Sequence, residues 1–173
     1  MLSPRMQDAL NAQINAELHA FYTYLSMSAY FESQGYPGFA AWMRHHSDEE
    51  MVHAMKIYDY IIDRRSVVKL QAIAAPRIEW SAALDVLKDA LAHEQHVTKL
   101  INDLVALARE ERDYATDSFL QWFVDEQVEE EQIVDAIIQD LEHIGDFGPG
   151  LYMLDRELGE PGGGEEEADG DTT

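Results

Sequence analysis

Residues 46–61 read HSDEEMVHAMKIYDYI. Glu50 and His53 stand three apart, so on a helix they share one face and lie ~4.5 Å apart along the axis. That face is one destined for burial. Phe39, Met43, His46, Glu50, His53, Ile57 and Tyr60 form a single stripe at alternating spacings of four and three. A carboxylate and an imidazole therefore occupy positions where a helix ordinarily buries apolar side chains.

The same anomaly recurs on either side of this stretch. Long amphipathic segments are predicted over roughly 5–34, 37–64, 82–110 and 114–144. The first carries the stripe Leu10, Ile14, Glu17, Phe21, Tyr24, Ser28, Phe31. The third carries Leu84, Leu87, Leu91, Glu94, Thr98, Ile101, Val105. The fourth carries Leu120, Phe123, Gln127, Glu130, Val134, Ile137, Leu141, Ile144. Adding 77 to 17, 50 and 53 gives 94, 127 and 130, so Glu17 pairs with Glu94, Glu50 with Gln127 and His53 with Glu130. Carboxylates buried together are very costly unless a cation neutralises them. Two halves of the chain thus converge on a pair of metal ions at the centre of an all-α four-helix bundle.

Connections set the topology. The first and second segments are joined near Gly35 and Tyr36, the third and fourth near Glu111 and Arg112, so each pair runs antiparallel. Residues 65–81 are long enough for one crossover along the bundle. Two pseudo-equivalent hairpins result, which accounts for the constant offset. Pro37 fits the first turn of the second helix, and Ser81 and Asp113 are candidate N-caps of the third and fourth. A short fifth helix is expected around Leu151–Leu158. The segment 159–173, GEPGGGEEEADGDTT, is read as a disordered acidic tail, leaving residues 1–158 as one domain.

Bulk composition narrows the chemistry. With 173 residues and 46% hydrophobic content, one sizeable core is expected. Absence of cysteine excludes thiol ligands and disulfides, leaving oxygen and nitrogen donors, which suit iron, manganese or zinc. A net charge of −22 repels nucleic acid and attracts cations. Only four lysines are present, Lys56, Lys69, Lys88 and Lys99, a balance also consistent with a salty habitat. No signal peptide or membrane-spanning run is visible, so a cytoplasmic protein without a membrane or nucleic-acid partner is expected.

Taken with LSPRMQDALNAQINAEL at 2–18, HEQHVTKLIN at 93–102, FLQWFVDEQVEEEQ at 119–132 and GLYMLDREL at 150–158, the stretch quoted first resembles the prokaryotic non-haem ferritins. The resemblance implies a ferritin-like bundle assembled as a homo-oligomeric 24-mer shell. It implies ferroxidase activity, in which Fe(II) is oxidised by O2 or H2O2 and stored as ferric mineral. Carried over residue by residue, it puts one iron on Glu17, Glu50 and His53. A second lies on Glu50, Glu94 and Glu130, with Glu50 bridging and Gln127 beside it. A third is implied at Glu49, Glu126, Glu129 and Glu130; from spacing alone, the acidic run 125–131 also reads as a solvated face. Tyr24 is implied as a redox-active neighbour, and Trp122 as a further electron source.

His46 reads as a buried neutral histidine rather than a ligand. Met51 follows the bridging glutamate, as a haem-binding Met does in bacterioferritins, but the fourth segment lacks their second Glu-x-x-His, which argues against haem. A rubrerythrin-like peroxidase would ordinarily add a cysteine-rich iron domain, which is missing. A cation-buffering cage with a vestigial centre is the non-enzymatic alternative.

Overall fold

The computed structural model describes residues 1–160. Five helices follow one another: α1 (Pro4–Gln34), α2 (Pro37–Asp63), α3 (Ala83–Glu110), α4 (Tyr114–Ile144) and α5 (Gly148–Leu158). All four long helices lie within one or two residues of the periodic segments. Ser3 caps α1 by accepting from Met6 N at 3.0 Å. Gly35 ends that helix in the left-handed conformation, φ 81°, which glycine adopts without penalty. Asp113 caps α4 as expected, accepting from Thr116 N at 3.2 Å. Ser81 does not cap α3; Ala82 takes that position, and the Ser81 hydroxyl bonds the Asp85 carboxylate instead. The expected acidic tail falls almost entirely outside the described residues.

Two apolar clusters fill the bundle, one at each end. The first gathers Tyr24, Phe31, Phe39, Met43, Leu87, Ala90 and Val134. The second gathers Met6, Leu10, Ile14, Ile57, Val97, Ile101, Leu120 and Phe123. On every long helix the passage from one cluster to the other crosses a buried polar residue: Glu17 on α1, Glu50 on α2, Glu94 on α3, Gln127 on α4. The stripe residues Phe21, Tyr60, Leu84, Leu91, Thr98 and Ile144 are only half-buried, because they lie at the edges of the helix–helix contacts.

Cluster membership also reads out direction. The starts of α1 and α4 and the ends of α2 and α3 share the second cluster, so the two hairpins are antiparallel and residues 64–82 traverse the bundle. This connection is laid along α1 by side chains at intervals. Asn11 donates to Val67 O at 3.0 Å, Asn15 to Ala72 O at 3.1 Å, Ser26 to Arg77 O at 2.6 Å and Tyr30 to Trp80 O at 3.1 Å. Four of its backbone carbonyls therefore find partners on α1 without a sheet or helix of its own.

Helix α5 docks on the opening turn of α2. That turn receives no side-chain cap from Tyr36. Instead Asp155, on α5, accepts from Gly38 N at 2.9 Å and Phe39 N at 3.0 Å. Gly38 permits the approach: a Cβ there would sit 1.5 Å from the Asp155 carbonyl oxygen. Among the described residues, no helix is long and apolar enough to cross a membrane.

Candidate metal centre

Between the two apolar clusters lies a layer of buried acid. Glu17, Glu50, Glu94 and Glu130 are at most 5% exposed, and His53 is 3% exposed. Ligand atoms of Glu17, Glu50 and His53 lie within 4.8 Å of one another. His53 Nδ1 faces Glu50 Oε2 at 3.4 Å. Oε2 of Glu17 and Oε2 of Glu50 are buried without a hydrogen-bond partner. Orphaned carboxylate oxygens of this kind are strongly destabilising in an apolar interior, and a cation shared among them removes the penalty.

Titration behaviour carries the same message. Burial, then the charges of Glu94 and Glu17, push the Glu50 carboxyl well above the ordinary range. Glu94 is pushed up to about 7, by burial and then by Glu130, against hydrogen bonds from Tyr24 and Gln127 that favour its charged form. Without a cation, some of these acids therefore hold protons near neutrality.

Glu94 is held from both sides. Tyr24 donates its hydroxyl hydrogen to Oε1, and Gln127 Nε2 donates to Oε2 at 3.1 Å and to the Glu94 carbonyl at 3.2 Å. An ionised carboxylate offers about four lone-pair sites, so acceptor capacity remains on each oxygen. Burial, then Glu94 and its neighbours, raise the Tyr24 phenol well above its usual value, keeping the proton on this oxygen.

Two further groups border the layer. His46, Glu49 and Glu130 form one, with His46 Nδ1 at 3.2 Å from Glu130 Oε2 and 3.3 Å from Glu49 Oε2. His53, Glu126 and Glu130 form the other, with His53 Nε2 at 3.9 Å from Glu126 Oε1. Glu49, Glu126 and Glu130 are thus brought close to the centre, whereas Glu129 is exposed and belongs to neither group. His46 is buried, as expected, and stacks on Tyr24 with ring centroids 5.6 Å apart. Trp122 packs edge-on to His53 at 5.4 Å and lies under the Lys56 ammonium, 3.6 Å from the ring centroid. Met51 is half-buried beside this layer.

Gln13 was not singled out by the sequence pattern. It is buried, and its Nε2 donates to Glu17 Oε1 at 2.8 Å. Its position four residues before Glu17 was the available signal.

Comparison with known proteins identifies the fold and the family. A family model described as a ferritin-like domain matches residues 7–144. The bacterial non-heme ferritin of Staphylococcus aureus strain USA300 is 44% identical over 159 residues, covering 92% of this chain and 96% of that protein. That of Staphylococcus epidermidis is 46% identical over 158 residues, covering 91% and 95%. The open-pore ferritin of the hyperthermophilic archaeon Archaeoglobus fulgidus superposes with a TM-score of 0.92 at 45% identity, covering 93% of this chain and 99% of that one. A bundle with one crossover, a buried acidic layer and relatives of this similarity lead to one assignment: the chain belongs to the ferritin family, as a prokaryotic non-haem ferritin.

Proposed function

We propose that this chain is an iron-storing ferroxidase subunit that binds two Fe(II) ions side by side in the acidic layer. The observation that carries this reading is the buried convergence of Glu17, Glu50 and His53, whose ligand atoms lie within 4.8 Å of one another. One Fe(II) is held by Glu17, Glu50 and His53, the other by Glu50, Glu94 and Glu130. Glu50 is the ligand the family resemblance would share between them; its carboxyl lies with Glu17 and His53. The first position has an imidazole and the second only oxygen donors, so the second releases its ion more readily.

Iron is here the substrate. Each Fe(II) surrenders one electron, and two irons held together deliver the two electrons that reduce O2 to hydrogen peroxide, or H2O2 to water. The protein contributes proximity and charge compensation. Gln127 and Tyr24 orient Glu94; the Tyr24 hydroxyl keeps its proton and donates a hydrogen bond beside the second iron, and the two protons that the reduction consumes come from water. A third cation is placed by this reading beside Glu130, with Glu49 and Glu126 on either side of it in separate groups and exposed Glu129 as an outer acid through which product departs. Ferric product collects inside a hollow homo-oligomeric shell, for which a 24-mer is the expected assembly.

Anaerobic Fe(II) titration followed by exposure to O2 tests the reading. Two Fe(II) bound per subunit and oxidised rapidly on mixing are expected. Binding followed by oxidation no faster than in protein-free buffer would overturn the ferroxidase and leave a cation store.

A further inference from the structure

We propose that Gln13 is a positioning residue for the metal centre, fixing which oxygen of Glu17 faces the first cation. This rests on the two-ion reading above and adds a residue to it. Gln13 lies one helical turn before Glu17 on α1, and both side chains are buried. An ionised carboxylate is an acceptor only, so the atom facing it must be the amide nitrogen. That nitrogen lies 2.8 Å from Glu17 Oε1, within the range of a well-formed bond. Oε2 has no such partner and is the oxygen left for the cation.

The surroundings of Gln13 make the bond hard to explain as ordinary surface polarity. The residue forms part of the wall of a groove of about 270 Å³ between α1 and α3, whose other walls combine Ala9, Ala12, Leu100 and Leu104 with the charged Arg5 and Asp103; its side chain is nonetheless buried. Leu10 and Ile14 flank it in the second apolar cluster. An amide in such a wall is costly unless bonded, and an apolar residue of the same length would fill the space without that cost. Its side-chain amide donates to Glu17. The same device operates across the layer, where Gln127 donates to one oxygen of Glu94. On α1 and on α3 alike, a glutamine amide thus holds one oxygen of the layer's carboxylate, although in Glu94 the other oxygen also accepts from Tyr24. Groups that orient a metal ligand in this way typically contribute roughly 10–100-fold to metal affinity.

Gln13→Met keeps length and packing and removes the donor; Gln13→Asn withdraws the amide by one carbon and serves if the first variant misfolds. Crystals of the full chain soaked anaerobically at graded Zn(II) concentrations report each position separately by anomalous scattering. In both variants, half-filling of the position between Glu17 and His53 should need about tenfold more Zn(II), while the position between Glu94 and Glu130 fills as in the wild type. A wild-type pair with unchanged filling in the variants would overturn the role of Gln13 alone. Wild-type crystals that fill neither position would overturn the two-ion reading, and this inference with it.

Discussion

Tyr24 on α1 and Glu94 on α3 are joined by a hydrogen bond through the centre of the acidic layer, the hydroxyl donating to the carboxylate. Tyr24→Phe keeps the ring and its stacking on His46 while deleting this donor. Apo stability should fall by about 1 kcal/mol, the worth of a typical buried bond, by chemical denaturation. Glu94 loses a contact that favours its charged form, so its apparent pKa should move up from about 7. Two Fe(II) should still bind per subunit, with altered oxidation kinetics by stopped-flow absorbance; wild-type kinetics would return Tyr24 to a packing role.

Glu50→Ala should be the most damaging single ligand change for iron, because it weakens both positions together. In the apo protein the same change removes a carboxylate that burial and its neighbours already strain. The shell should therefore assemble normally and melt no lower than wild type, apart from the cavity left behind. His53→Ala should impair mainly the first position. A wild-type oxidation rate in Glu50→Ala would sink the assigned pair.

Apo stability should rise as pH falls from about 8 towards 5. Glu50 and Glu94 have folded-state values raised above those of an unfolded chain. Such groups contribute stability that is fully present below the unfolded value, near ~4, and lost as pH rises through the folded one, about 7 for Glu94. Bound divalent cation removes the reason for the shift and should flatten the profile. Scanning calorimetry with and without Zn(II) at pH 5.5 and 8 decides; an apo protein more stable at pH 8 would contradict the sign.

Asp155→Ala should leave two backbone N–H groups of α2 without their acceptor and lower stability by about 2 kcal/mol. Gly38→Ala attacks the same joint sterically and should displace α5 altogether, given a 1.5 Å encounter. Limited proteolysis should then cut near residues 145–148 in both variants and spare the long helices. Protection equal to wild type would show that α5 is held by other means.

Much of this architecture is legible in the sequence. Periodicity placed the four long helices, and the repeat of acids at 17, 50, 94 and 130 placed the layer, because burying charge at regular spacing has few explanations. What escaped were relationships between distant residues. Asp155 caps the opening turn of α2 through Gly38, 117 residues earlier, and no local pattern announces it. Gln13 looks like any polar residue at a stripe's margin until its partner is known. Ser81 has the right chemistry for a cap, yet Ala82 occupies the turn and leaves Ser81 to bond Asp85. The acidic run 125–131 was readable as a cluster; which members turn inward depends on the rotation of α4, and Glu129 turns out.

The separation of the apolar interior into two clusters has a consequence for cooperativity. Each cluster takes in a stretch of all four long helices, while the seam between them is held in the apo protein by hydrogen bonds and strained acids. Fluctuations should therefore concentrate at mid-bundle, an inversion of the usual fraying from helix ends. The two cations proposed for Glu17, Glu50, Glu94 and Glu130 would together stitch all four helices at that seam, so the cargo would serve, while it stays, as the fastener between the two halves of the subunit.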